Sequence, residues 1–96
     1  MITHIVLFKL IDRSPSDIEK TREALLNMKG KIPQLRHIEV GVDIVRSPRS
    51  YDLALITKFD SLKEMEAYQT DPAHIEVLKY ISSVKESSIS VDYQSQ

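Results

Sequence analysis

The chain of 96 residues contains no cysteine and no tryptophan, and its formal net charge is only −1. Without cysteine it has no disulfide, no thiolate nucleophile and no cysteine metal site, which suits a reducing compartment. A charge so near zero gives no electrostatic reason to expect nucleic acid or an anionic membrane as partner. No apolar run approaches the roughly 20 residues that span a bilayer. We expect one soluble domain, residues 1–96, without a signal peptide and located in the cytoplasm.

Alternation of apolar and polar residues predicts four strands, at residues 2–10, 36–45, 51–59 and 88–93. At the middle of the first and third, both faces are apolar. The second alternates cleanly, as expected for an edge strand that is buried on one side only. The sequence therefore places the first and third strands at the centre of a sheet.

Three helix starts separate these strands. Two serine-x-x-glutamate sequences predict capping boxes, and an aspartate–proline pair predicts an N-cap followed by proline at the first helical position. The same proline should end the preceding helix near Thr70, because the residue before proline disfavours helical geometry. The first helix should end near Gly30, since Pro33 stops it. The start signals are Ser16 with Glu19, Ser61 with Glu64, and Asp71 with Pro72.

The order β-α-β-β-α(α)-β is that of the split βαβ unit, so we predict an α+β, ferredoxin-like βαββαβ sandwich. In this topology the first and third strands are central, in agreement with their two apolar faces.

Helices can cover only one face of the sheet. The other face then carries an apolar patch with a charged rim, which is typical of an interface, and we predict a homodimer through this helix-free face. The predicted patch is Ile5, Leu7, Ala54 and Ile56, and its rim is Lys9, Glu39, Asp52 and Lys58.

Short motifs spread over essentially the whole chain are specific in combination. They are Thr3-His4-Ile5-Val6-Leu7-Phe8-Lys9, Ile32-Pro33, Glu39-Val40-Gly41, Tyr51-Asp52-Leu53-Ala54-Leu55, Phe59, Tyr68-x-x-x-Pro72-x-His74 and Val91-Asp92-Tyr93. This set resembles the stress-responsive A/B barrel (Dabb) family. The resemblance implies a dimeric α+β barrel. It implies less about activity, because members include plant stress proteins with no established reaction, many bacterial proteins without assigned function, and a plant olivetolic acid cyclase.

The resemblance to the cyclase suggests three site residues. In that enzyme a tyrosine and a histidine have the spacing of Tyr68 and His74, and a histidine on the first strand matches His4. An imidazole near neutral pKa can take the proton between two carbonyls, while a phenol hydrogen-bonds the developing enolate. The chain departs from the cyclase on the first helix, where Thr21, Arg22 and Leu25 replace aromatic residues, and at Asp71, which replaces a histidine. A pocket with Arg22 nearby should not accept the same substrate.

Each candidate also has a purely structural interpretation. His4 could be a partly buried histidine paired with a backbone carbonyl, Tyr68 or His74, and Tyr68 with His74 could be core and cap. His37 is expected to be a solvated edge residue, Tyr93 to lie in the core or the dimer interface, and basic residues to be scattered over the surface (Arg46, Arg49 and Lys58). The three histidines lie on different elements, which is not metal-ligand spacing, so neither metal nor cofactor is expected.

Two other protein classes share related folds. RNA-recognition domains have the same order of elements but need aromatic residues on the central strands, where this chain has Leu53 and Leu55. Haem- or quinone-handling monooxygenases share the barrel, but no axial-ligand arrangement is present and tryptophan is absent.

Our first interpretation is a dimeric Dabb-type binding or stress-associated protein with a pocket for a small apolar or polyketide-like ligand. The alternative is a cofactor-independent cyclase or isomerase, with His74 as base and Tyr68 and His4 orienting the substrate.

Overall fold

In the computed structural model, which describes residues 1–95, three helices cover one face of a four-stranded antiparallel sheet. The strands are β1 (Ile2–Leu10), β2 (His37–Val42), β3 (Leu53–Phe59) and β4 (Lys85–Gln94), and the helices are α1 (Pro15–Leu26), α2 (Leu62–Thr70) and α3 (Pro72–Val84). The strand order is β2-β3-β1-β4. The predicted ferredoxin-like α+β fold, with β1 and β3 at the centre, is confirmed. None of the helices described is long and apolar enough to cross a membrane.

The start of α1 differs from the prediction. Ser14, not Ser16, is the N-cap, and its side chain accepts a hydrogen bond from the Asp17 backbone N–H at 3.3 Å. Pro15 occupies the first helical turn, where its missing N–H costs nothing, and this shifts the cap two residues toward the N-terminus. The helix also ends early, at Leu26, and Gly30 lies in the following turn with a φ of 79°.

The predicted starts of α2 and α3 are confirmed. Ser61 is the N-cap of α2 and accepts from the Glu64 N–H at 3.3 Å. Asp71 ends α2 and begins α3, and its carboxylate accepts from the Ala73 N–H at 2.9 Å. The α2–α3 corner is therefore defined locally, by an aspartate and a proline that adjoin in sequence.

The core lies between the sheet and the helices. Side chains of alternate residues on β1 and β3 point into it, and the helices contribute the apolar residues of their inner faces. Phe59 and Tyr68 contact each other at its centre, with 4.8 Å between ring centroids. The buried apolar residues are Ile2, Phe8, Leu10, Ile18, Leu25, Met28, Ile32, Leu53, Leu55, Phe59, Met65, Tyr68 and Ile81.

The helix-free face is more apolar than predicted, because the edge strand β4 turns its apolar side away from the helices. The strand register places Val91 opposite Ile5 and Ile89 opposite Leu7. Val91 is 54 % exposed and Ile89 is 52 % exposed. Tyr93 is on the same face and also exposed, so of its two expected positions the core is excluded and the dimer interface stays a prediction. The complete apolar face consists of Ile5, Leu7, Ala54, Ile56, Ile89, Val91 and Tyr93.

Asp52 is not part of the charged rim, and that prediction is wrong. Its side chain is fully buried and accepts hydrogen bonds from the Leu10 backbone N–H at 2.8 Å, from Arg13 Nε at 2.9 Å and from Arg46 Nη1 at 2.9 Å. Arg46 is therefore an ion-pair partner and not an isolated surface cation. Burial disfavours the charge on Asp52, but the three donors outweigh burial and hold its pKa below the usual value.

Candidate active site between sheet and helices

A cavity of about 370 Å³ lies between β1 and helix α3. This volume falls within the range of small-molecule sites. The wall is mostly apolar, with polar side chains at both ends. The lining residues are His4, Val6, Phe8, Leu25, Met28, Leu55, Tyr68, Gln69, His74, Val77, Leu78, Ile81, Lys85 and Ser88. The three site residues suggested by the sequence, His4, Tyr68 and His74, therefore line one cavity.

The α2–α3 corner stacks Tyr68 against His74. Tyr68 lies in the last turn of α2 and His74 in the first turn of α3, and their ring centroids are 4.3 Å apart with a tilt of 47°. Tyr68 is only 1 % exposed, and its hydroxyl donates a weak hydrogen bond to Met28 Sδ at 3.8 Å. Burial raises the pKa of the Tyr68 phenol, which therefore stays protonated at neutral pH. Tyr68 holds the His74 ring in place and keeps a hydroxyl proton close to the cavity.

The geometry at His74 fixes which ring nitrogen is free. The Nδ1 atom is 3.1 Å from the Gln69 carbonyl oxygen, which can only accept, so Nδ1 carries the proton. Burial lowers the pKa of His74; the Gln69 carbonyl and Asp71 oppose this shift, and the neighbouring His4 adds to it. The imidazole is therefore neutral at pH 7, with a lone pair on Nε2. Such a nitrogen can accept a proton or a hydrogen bond from a bound molecule.

His4 is held in the same way by a different partner. Its Nδ1 is hydrogen-bonded to Asp92 Oδ1 across the β1–β4 pair, where the two residues are in register. The His4 side chain is 13 % exposed and that of Asp92 is 39 % exposed. A carboxylate accepts, so Nδ1 donates and Nε2 has no partner among the described residues. The carboxylate fixes the orientation of the ring by holding this nitrogen.

Several polar residues of the site are absent from the sequence prediction, among them Asp92 and Lys85, and Arg22, which was expected nearby, lies elsewhere. Asp92 is the partner of His4, where a backbone carbonyl, Tyr68 or His74 was expected. Lys85 lines the opposite end of the cavity and donates to Ser88 Oγ at 3.3 Å. Arg22 does not line the cavity and is paired with Glu19 on the outside of α1 at 3.1 Å. The alternation of β4 places Asp92 on the face of Ser88 and Ser90, but its partner depends on the β1–β4 register, which the sequence does not give.

The family model of the stress responsive A/B barrel domain, Dabb, matches residues 2–95. The chain belongs to the Dabb family. An uncharacterised protein of Streptomyces coelicolor is 35 % identical over 77 residues, which cover 77 % of this chain and 79 % of the relative. A dimeric protein of unknown function and ferredoxin-like fold from Bacteroides fragilis is 35 % identical, with a TM-score of 0.82. The match covers 98 % of this chain and 95 % of that protein. A dimeric ferredoxin-like protein from Thermobifida fusca is 28 % identical, with a TM-score of 0.87. The match covers 98 % of this chain and 90 % of that protein.

The chemistry available to this Dabb chain is that of proton exchange and hydrogen bonding. Two imidazoles each have Nδ1 engaged by an acceptor, and a phenol lies beside one of them. Within residues 1–95 no group of three or more histidine, aspartate or glutamate side chains is arranged to hold a metal ion. The surrounding wall is apolar, which strengthens each hydrogen bond that a ligand makes inside it.

Proposed function

We propose that this Dabb protein binds a small, mostly apolar molecule that carries a carbonyl or hydroxyl group. The observation that carries the proposal is the pair of histidines on one apolar cavity, each with Nδ1 already engaged. An Nε2 lone pair can accept a hydrogen bond from a ligand hydroxyl, while the apolar wall supplies the burial that drives binding. The Tyr68 hydroxyl donates only to the thioether of Met28, which is a weak acceptor. Donating to a carbonyl oxygen of the ligand instead would therefore cost little.

The three histidines of the chain allow a direct test by NMR. His37 lies on β2 and is not a lining residue, so it serves as an internal reference. Titration with medium-chain hydroxyketones, whose hydroxyl can donate to Nε2, should shift the imidazole ¹⁵N signals of His4 and His74 and leave those of His37 unchanged. In the free protein at pH 7, His74 should show a protonated Nδ1 and an unprotonated Nε2, because its pKa is below 6.5. Equal shifts at all three histidines would contradict the proposal.

The His4–Asp92 pair favours a second candidate function, cofactor-independent proton transfer on a β-dicarbonyl compound, as in a cyclase or isomerase. His74 Nε2 would take the proton between the two carbonyls, and the electron pair of that C–H bond would move onto a carbonyl oxygen. The Tyr68 hydroxyl would donate to that oxygen, and His4, oriented by Asp92, would help to position the substrate. The proton then returns to a carbon atom of the same molecule.

Deuterium exchange measures this proton transfer without knowledge of the natural substrate. A medium-chain β-keto ester in D₂O should exchange its central C–H faster with the protein than without it. His74→Gln should reduce that acceleration about tenfold or more. This factor is smaller than the usual contribution of a general base, because the probe lacks the binding contacts of a natural substrate. The rate should be constant above pH 7 and fall only below pH 6.5, since protonation of His74 removes the base.

His37→Gln is the matched control for the exchange experiment, since it removes an imidazole outside the cavity. It should leave the rate unchanged. An exchange rate that His74→Gln does not alter would exclude His74 as the base. Binding of the ketone probes would still stand in that case, because the NMR titration does not depend on catalysis.

We also infer that the protein is a homodimer joined through the helix-free sheet face. Seven apolar side chains lie on that face, and the edge strand β4 presents two of them, Ile89 and Val91, more than half exposed. An apolar face of this kind is typical of an interface. The similar proteins from Bacteroides fragilis and Thermobifida fusca, which are described as dimeric, support the inference. A cytoplasmic location is a further proposal, supported by the lack of cysteine, and cell fractionation tests it.

A further inference from the structure

The cavity has a second polar end that the histidines do not account for. Lys85 follows the last turn of α3, lines the cavity and is only partly exposed. Its ammonium group contacts the neutral hydroxyl of Ser88, and no carboxylate lies within ion-pair distance of it among residues 1–95. A lysine at a helix end interacts favourably with the helix dipole. That interaction does not require the side chain to line an apolar cavity, however, and a charge in such a place normally has a partner.

The separation of the two polar ends follows from the elements between them. His4 and Phe8 are four residues apart on β1, which corresponds to roughly 13 Å along a strand. His74 and Ile81 are seven residues apart on α3, which corresponds to roughly 10 Å along a helix. Lys85 lies just beyond Phe8 and Ile81, at the end of the cavity opposite the histidines. A molecule that reaches both ends must therefore be elongated.

We propose that the ligand is an elongated apolar carboxylic acid, with its carboxylate on Lys85 and Ser88 and its carbonyl or hydroxyl group at the His4–His74 end. This inference rests on the proposed function, because it assumes that the cavity binds a small molecule. It adds the ligand's charge, its length and its orientation. Lys85 supplies the counter-charge and Ser88 a hydroxyl donor, while the apolar wall between the two ends excludes further polar groups from the middle of the ligand.

Isothermal titration calorimetry with matched probes tests the inference. The probes are a ten-carbon acid with a methyl ketone at its far end, the methyl ester of that acid, and decyl phosphate. The unmodified protein should bind the acid roughly fivefold to tenfold more tightly than the ester, a modest factor because Lys85 is partly solvated. Lys85→Met should abolish this preference and leave the affinity for the ester unchanged, whereas a merely structural role for Lys85 would weaken both. Lys79→Met, at an exposed lysine of α3 that does not line the cavity, is the control and should change neither affinity.

The other outcomes separate the two proposals. Equal affinity for acid and ester in the unmodified protein, or a preference for the acid that survives Lys85→Met, would overturn the assignment of Lys85 and leave the pocket intact. No binding of either probe, together with unchanged histidine signals in the ketone titration, would instead overturn the proposed function itself. A preference for decyl phosphate over the acid, lost in Lys85→Met, would replace the carboxylate by a phosphate monoester.

Discussion

Asp52→Asn is expected to lower the free energy of unfolding by about 3 kcal/mol, because it removes a buried charge from two guanidinium groups. Asp52 is fully buried and accepts from the Leu10 N–H, Arg13 and Arg46. Asparagine keeps one acceptor but places an amide N–H₂ group where a carboxylate oxygen lies now. Both arginines donate to Oδ1 and the Leu10 N–H donates to Oδ2, so the amide group faces either the two guanidinium groups or the Leu10 N–H, and a buried donor loses its acceptor in both orientations.

Urea denaturation at a fixed protein concentration measures this difference, since assembly adds to apparent stability. Asp60→Asn is the matched control, because Asp60 also pairs with an arginine, Arg36, at 3.0 Å, but both side chains are about half exposed. The control should cost less than 1 kcal/mol. Similar losses for the two variants would show that burial of Asp52 does not matter.

The same carboxylate has a predictable pH dependence. Its pKa in the folded protein lies below 3.8, the ordinary value for an aspartate, so the folded state binds fewer protons there than the unfolded state. The stabilisation is fully present above that value and is lost as the pH falls through the folded pKa. The difference in stability between the unmodified protein and Asp52→Asn should therefore be constant near neutral pH and shrink only in acid.

The order of elements and the central strands follow from the sequence because their signals are local. Hydrophobic alternation over a few residues identifies β1 and β3, and adjoining residues define the α2–α3 corner at Asp71 and Pro72. Tyr68 and His74 are six residues apart, so their contact depends on that corner alone. For the same reason, this half of the candidate site could be predicted before any coordinates were known.

The remaining groups depend on contacts between distant segments, which periodicity does not describe. His4 and Asp92 are 88 positions apart, and only the β1–β4 register brings them together. In sequence, Asp52 continues a polar alternation and resembles a surface residue; its burial depends on arginines from two different loops. One signal was present: Arg13 and Arg46 each begin an Arg-Ser-Pro sequence, and both reach Asp52.

In β4 the apolar and polar faces are reversed with respect to a strand that packs against helices in a monomer. Its polar residues Ser88 and Asp92 face the helices, while Ile89 and Val91 face away from them. In a monomer this orientation would leave apolar side chains in water and polar ones beside the core. Both become reasonable if a second protomer covers the outer face and a ligand cavity occupies the inner one. The strand therefore links the proposed dimer to the proposed pocket.

Ile56→Asp should weaken dimerisation roughly a thousandfold, about 4 kcal/mol. Ile56 lies in the middle of the helix-free face, opposite Ile5 on β1 and Glu39 on β2. In a two-fold symmetric dimer every substitution occurs twice, so two carboxylates would be buried without partners in one interface. Glu39, the neighbour on β2, adds repulsion of the same sign. Analytical ultracentrifugation over a range of concentrations should show the unmodified protein as a dimer and the variant as a monomer.

Leu62→Asp is the matched control, because it introduces the same charge at an exposed apolar residue in the first turn of α2, away from the helix-free face. It should leave the dimer intact, since an acidic residue is favourable at a helix N-terminus. Circular dichroism should show a folded Ile56→Asp monomer, because the core lies on the other side of the sheet. If Ile56→Asp remained a dimer of unchanged affinity, the protomers would have to join through another surface, and the apolar face of β4 would need a different occupant.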